Sequence, residues 1–165
     1  MARTDYHKVI IGRAEYMHFV DFEIADIPAK VDTGAYRSAA HADEIKLSED
    51  GKTLSFRLLG GHTSFGSLAT QMQTTQFSMV EIENSFGHRE KRYEVKLRVK
   101  LGPKVFLAAF SLADRAKKLY PILLGRKMLN DRFLVDAAKT PIDRVELKQR
   151  YNIDFAMDEE GSDII

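Results

Sequence analysis

Two short segments hold residue types that could do chemistry. The first is Ala29-Lys30-Val31-Asp32-Thr33-Gly34-Ala35, where an apolar stretch runs into an acid followed by small turn formers. A carboxylate in such a turn can accept hydrogen bonds from nearby backbone N–H groups and can take a proton from water. Gly34 would admit a backbone where any Cβ clashes. The second is Pro121-Ile122-Leu123-Leu124-Gly125-Arg126-Lys127-Met128-Leu129, which reads as a buried strand stopped by glycine and followed by a short helix. Either segment alone has a plain structural reading, and a tripeptide such as Asp-Thr-Gly arises by chance in about 3% of chains this long. Their conjunction is what carries information.

Other chemistries find less support. The chain has no cysteine, which excludes disulfides, thiolate nucleophiles and cysteine-based zinc sites. It contains neither the G-x-x-x-x-G-K-[ST] loop of an ATP site nor the H-E-x-x-H pair of a hydrolytic zinc site. The five histidines, at positions 7, 18, 41, 62 and 88, are scattered singly. His41 with Asp43 could form part of a metal site, although a lone histidine near a loop is more often a hydrogen-bonded structural residue. Ser38, His41 and Asp114 make a triad on paper, but no G-x-S-x-G surrounds the serine, so a turn or loop-support role fits Ser38 better.

The elements that must position Asp32 are strands. From Arg92 to Leu101, Tyr93, Val95, Leu97, Val99 and Leu101 alternate with Glu94, Lys96, Arg98 and Lys100, which predicts a half-buried antiparallel strand. Gly102-Pro103 then turns it into a second strand through Val105-Phe106-Leu107. Residues 44–47 and 54–58 form another pair about the turn Glu49-Asp50-Gly51, and residues 21–25 and 27–31 read as two further strands. Short helices are expected at 125–130 and 143–150. The fold class is mainly β.

A chain of 165 residues with 44% hydrophobic and 30% charged residues suits one soluble domain, placed at residues 1–157, with an acidic disordered tail at 158–165. Lys+Arg 25 against Asp+Glu 24 gives no reason to expect nucleic acid or an anionic membrane as partner. The first residues lack the apolar run of a secretory signal and no stretch is long enough to span a bilayer, so a cytoplasmic location is expected.

The two segments together resemble the retropepsin pattern: a hydrophobic strand entering Asp-Thr-Gly-Ala, then, late in the domain, two large apolar residues, Gly, Arg and a short apolar helix. A narrower resemblance rests on Asp32-Thr33-Gly34-Ala35, Ser38, His41-Ala42, Gly87, Arg92-Tyr93, Asp114-Arg115 and Pro121 to Arg126. These look like the bacterial and archaeal family labelled ATP-dependent zinc protease, whose members are described as retropepsin-like and whose genes often accompany ATP-grasp ligases that add glutamate. Tyr36-Arg37 departs from that family's more usual Arg-Thr.

The resemblance implies a closed β-barrel of the acid protease fold with one or two short helices, and an aspartic peptidase working as a homodimer without a cofactor. Asp32, Thr33 and Gly34 would be the catalytic loop, with Thr33 hydrogen-bonding across the dimer. Leu124, Gly125 and Arg126 would support it. Ala35, Arg37, Ser38, His41, Arg92 and Arg115 would lie on the substrate side, with some of Arg37, Arg92, Arg115 and Arg126, Arg92 foremost, reading acidic or glutamylated peptides. A flap is expected at 80–95, with 59–66 as the rival. The implied partners are a second copy, a peptide or protein substrate, and a glutamate ligase. A non-catalytic dimeric module binding acidic peptides or a ligase is the alternative, and a zinc peptidase a more distant one.

Overall fold

The structure is a computed structural model and describes residues 8–84 and 86–151. The expected tail at 158–165 lies outside the described residues. Among them the chain forms β1 (Val9–Ile11), β2 (Ala14–Phe19), β3 (Ile24–Val31), β4 (Ser38–Leu47), β5 (Leu54–Leu58), β6 (Thr70–Thr74), β7 (Phe77–Glu83), β8 (Arg89–Leu101), β9 (Lys104–Ala113), β10 (Ile122–Leu124), α1 (Arg126–Leu129), β11 (Phe133–Val135) and α2 (Arg144–Arg150). The fold is mainly β, as expected.

Closure is achieved by six strands. β10 pairs with β3, β3 with β2, β2 with β8, β8 with β9, β9 with β4, and β4 returns to β10, so the hydrogen bonds form a ring. β5 and β6 extend from β4, β7 hangs on β8, and β1 pairs in parallel with β11 as a separate ribbon. The alternation on β8 does what period two dictates: Val95, Leu97, Val99 and Leu101 are buried with Phe19, Phe56 and Phe110 in the main core. The 102–103 turn, the 44–58 hairpin and both short helices are present. α2 starts at Asp143, whose carboxylate accepts the N–H groups of Val145 and Glu146, the usual reason for an Asp at a helix start. No helix among the described residues is long and apolar enough to cross a membrane.

The expectation of two strands at 21–25 and 27–31 is corrected. Val20–Phe22 is a 3-10 turn and Glu23 is left-handed at φ 54°, so the chain reverses there and a single strand runs from Ile24. Pro28 interrupts nothing: β10 pairs only with Ala29, Lys30 and Val31, beyond the proline's missing N–H.

Candidate active site

Asp32 stands where β3 leaves the ring. Its N–H donates to the Leu124 carbonyl (2.9 Å) and its carbonyl accepts the Ala35 N–H (3.2 Å), closing a tight loop. Its carboxylate Oδ1 accepts the Gly34 N–H at 3.0 Å. Beneath the loop, β10 is wedged between β3 and β4, with Ile122 opposite Ala29 on one side and Ala40 on the other. This double pairing explains the apolar Ile122-Leu123-Leu124: Ile122 and Leu124 are fully buried.

The supporting layer is built from backbone contacts that small residues permit. The Gly125 N–H donates to the buried Ser38 hydroxyl (2.9 Å). The first N–H groups of α1 then satisfy the loop: Arg126 donates to the Ala35 carbonyl and Lys127 to the Tyr36 carbonyl, both at 2.9 Å. The Arg126 Nη1 donates to the Thr33 carbonyl (3.0 Å) and its guanidinium lies 5.9 Å from the Tyr36 ring centroid. Here the steric expectation for glycine shifts position. A Cβ on Gly34 would meet only Asp32 Oδ1, at 3.2 Å, whereas one on Gly125 would stand 2.5 Å from the Arg37 carbonyl carbon and oxygen. The position that must lack a side chain is Gly125.

Three of the expected substrate-side residues, Arg37, Ser38 and His41, are tied into the scaffold. Arg37 Nη1 donates to Glu94 Oε2 at 2.6 Å, and Lys127 Nζ lies 3.6 Å from the other oxygen of the same, nearly buried carboxylate. Ser38 and His41 are both buried. His41 Nε2 donates to the Gly60 carbonyl (2.7 Å) and Nδ1 accepts the Arg115 N–H (2.8 Å), so both ring nitrogens are engaged. Ser38 and His41, expected on the substrate side or as loop supports, are engaged from below: Ser38 takes the Gly125 N–H, and His41 bridges Gly60 and Arg115. Asp43 goes to Arg57 through two hydrogen bonds of 2.8 and 2.6 Å, and that pairing holds its pKa below the usual carboxylate value. Neither the paper triad nor a His41–Asp43 metal site is assembled, and odd spacing along β4 sends Ser38 and His41 to opposite faces.

Two arginines act on each other, and one of them, Arg115, also feels Asp32. Arg115 Nε donates to the Tyr120 carbonyl (2.9 Å), and burial first, then the charge of Arg92, lower its pKa to about 10 against the opposing pull of Asp32. Arg92 lies on the same face of β8 as Glu94 and is held by Glu90 through bonds of 3.0 and 3.1 Å. The loop at 59–66 is packed: Thr63 bonds Ala116 through both N–H and hydroxyl, Leu59 and Phe65 are buried, and His62 takes the N–H groups of Ser64 and Phe65. By contrast β7 and β8 continue past the ring as a two-stranded hairpin, with Glu81, Glu83, Arg89, Glu90 and Lys91 exposed and Phe86 85% exposed at its tip.

Comparison with known proteins decides the lineage. Residues 10–146 match the family described as RimB-like, retropepsin-like aspartic endopeptidase RimB. The chain belongs to this family. It is also 32% identical over 136 residues, 81% of its own length and 29% of the relative's, to a Desulfotalea psychrophila protein named "Probable alpha-L-glutamate ligase". A Shewanella halifaxensis protein of the same name is 29% identical over 156 residues, 91% of this chain and 34% of that one. The chain thus spans about a third of these relatives. A crystal structure of a Legionella pneumophila protein of unknown function is 29% identical with a TM-score of 0.63, covering 80% of this chain and 95% of that one.

Within this RimB-like chain, sequence reasoning overlooked Glu94 and Glu90. Period two places Glu94 on the outward face of its strand, one polar residue among several. The signal that could have marked it is Arg37, an arginine in place of the family's Thr after Asp-Thr-Gly-Ala, which needs an acid within reach. Glu90 sits two residues before Arg92, the spacing that brings side chains together on one face of a strand.

Proposed function

We propose that this protein is an aspartic endopeptidase that works as a homodimer, with Asp32 of each copy forming one dyad. The observation that supports it most is Asp32 itself, held by the Gly34 N–H on a loop braced from below by Leu124, Gly125 and α1. One chain contributes one such carboxylate, so two copies must meet. Paired carboxylates of aspartic proteases are the standard case of like charges sharing a proton, and that behaviour is carried over from the class. The ionised Asp32 takes a proton from water as it attacks the peptide carbonyl, and the protonated copy donates a hydrogen bond to the developing oxyanion. The apparent pKa values belong to the pair.

The substrates proposed are acidic, glutamate-rich or glutamylated peptides. Two curated relatives carry a ligase name while this chain matches only about a third of each, leaving most of those proteins for ligase chemistry beside a RimB-like segment. Arg92 and Arg115, whose charges act on one another and of which Arg115 also feels Asp32, are the groups to receive glutamate carboxylates, since a planar guanidinium holds a carboxylate through two parallel bonds. The hairpin of β7 and β8 is the proposed flap.

The test is cleavage of oligoglutamate-tailed and neutral peptides followed by mass spectrometry, with Asp32→Asn alongside. Asn keeps the loop's shape but cannot take the proton, so cleavage should vanish while fold and dimer remain. Full activity in that variant would refute the mechanism. Binding of acidic peptides without cleavage by the unmodified protein would instead favour a non-catalytic binding module, and loss with chelator restored by Zn²⁺ a metallopeptidase.

A further inference from the structure

The hairpin of β7 and β8 carries a carboxylate, that of Glu90, closed on the Arg92 guanidinium. Residues 90, 92 and 94 share one face of β8. At the base, Glu94 is joined to Arg37 of the Asp32 loop, so this face is turned toward that loop. One step toward the tip, Arg92 is three-quarters buried, and its charge is felt by Arg115, on which Asp32 also acts. One step further, Glu90 closes both carboxylate oxygens on the Arg92 guanidinium, at 3.0 Å to Nε and 3.1 Å to Nη2. Glu90 itself is 63% exposed, and the pairing holds its pKa below the ordinary carboxylate value.

We infer that Glu90 is a built-in stand-in for a substrate glutamate, occupying Arg92 in the empty protein and giving it up when an acidic peptide enters under the hairpin. The inference rests on the reading of Arg92 as an acid-recognising residue and adds a specificity determinant to it. The pairing has two effects that a short-range ion pair with one exposed partner can have. It fixes the Arg92 fork in a geometry suited to a carboxylate, because both of its bonds are made from the Nε and Nη2 edge. It also competes with the ligand, but weakly, since exposed pairs of this kind are only marginally stable. A weak competitor raises the threshold for single acidic residues while letting runs of glutamate through.

The experiment is isothermal titration of tetraglutamate, with tetraglutamine as the neutral control, into protein carrying Asp32→Asn so that nothing is cleaved. Four backgrounds are compared: Glu90 and Arg92 intact, Glu90→Gln, Arg92→Ala, and both together. The expected result is that Glu90→Gln tightens tetraglutamate about two- to fivefold, the range such a surface pair can account for, with no change for tetraglutamine. Arg92→Ala should weaken binding, and in that background Glu90→Gln should gain nothing. If Arg92→Ala weakens binding but Glu90→Gln leaves it unchanged or weaker, Glu90 is no competitor and the inference falls while the acidic-peptide reading stands. Equal tightening by Glu90→Gln with and without Arg92 reduces Glu90 to one more negative charge and also overturns it. Tetraglutamate binding that is absent, or indifferent to Arg92, removes the reading and the inference together.

Discussion

Acid should weaken this fold through one identifiable side chain, His62. It is 4% exposed, and its neutral ring is fully used: Nε2 donates to the Lys118 carbonyl at 3.0 Å, while Nδ1 accepts the N–H groups of Ser64 and Phe65 at 3.1 and 3.2 Å. A proton on Nδ1 would point at two other protons. Burial first, then the neighbouring His41, whose ring centroid is 5.4 Å away, and the charge of Arg115 push the His62 pKa from 6.5 down to about 4. The unfolded chain takes up this proton near pH 6.5 and the native protein does not until about pH 4, so the unfolded state binds more protons between those values. Stability therefore stands complete above about pH 6.5 and falls as pH drops toward 4. The linkage amounts to roughly 3 kcal/mol over the whole window, and roughly 2 kcal/mol is already lost between pH 7.5 and 5. Urea unfolding at pH 7.5, 6.5, 5.5 and 5.0 measures it, with His62→Gln as the reference. The Gln amide can donate to Lys118 and accept from the 64–65 backbone but does not titrate, so its stability should lack this slope. Identical slopes in the two proteins, or a His62 ring that titrates near 6.5 by NMR, would refute the reasoning.

Other outcomes follow from the loop and its supports. Gly125→Ala forces a Cβ against the Arg37 carbonyl and should cost about 1–3 kcal/mol in denaturant unfolding, whereas Gly34→Ala, meeting only Asp32 Oδ1, should cost clearly less. Glu94→Ala strips Arg37 and Lys127 of their shared carboxylate and should destabilise by about 1–3 kcal/mol in the same assay, with Glu94→Gln recovering part of it. On the proposed dimer, Thr33→Val removes one hydrogen bond per copy, two in all at about 1 kcal/mol each, and should weaken association roughly thirtyfold in sedimentation, and activity per chain should fall on dilution through the same dissociation constant.

Local patterns were legible and distant couplings were not. The alternation from Tyr93 to Leu101 is enforced by the core behind it, so period two announced the strand and its buried face. Asp143 marked a helix start because its capping bonds reach only two and three residues. Asp32 and its neighbours could be read for the same reason, since the loop's own bonds span two or three positions. Strands that lack such a signature were missed. Thr70–Thr74 offers a single apolar residue, Met72, along the outer side of β5, and Ala14–Phe19 mixes alanine, glutamate and histidine at positions whose burial comes from β3 and β8 on either side.

The site was legible in its centre and not in its surroundings because each surrounding contact spans the chain. Ser38 meets Gly125 across 87 positions, Arg115 meets His41 across 74, and Arg37 meets Glu94 across 57. β8 shows what this means for inference. Along Lys96, Arg98 and Lys100 its polar face is exposed, as alternation predicts. At Glu94 the same face passes over the Asp32 loop and meets Arg37, so a carboxylate in the same pattern becomes buried. At Arg92 and Glu90 the strand has left the ring and pairs only with β7. One uninterrupted polar stripe therefore serves solvent, scaffold and candidate substrate cleft in turn. The switch points are set by where β9 stops pairing and where the loop after β3 comes to rest, neither of which is written in the stripe itself.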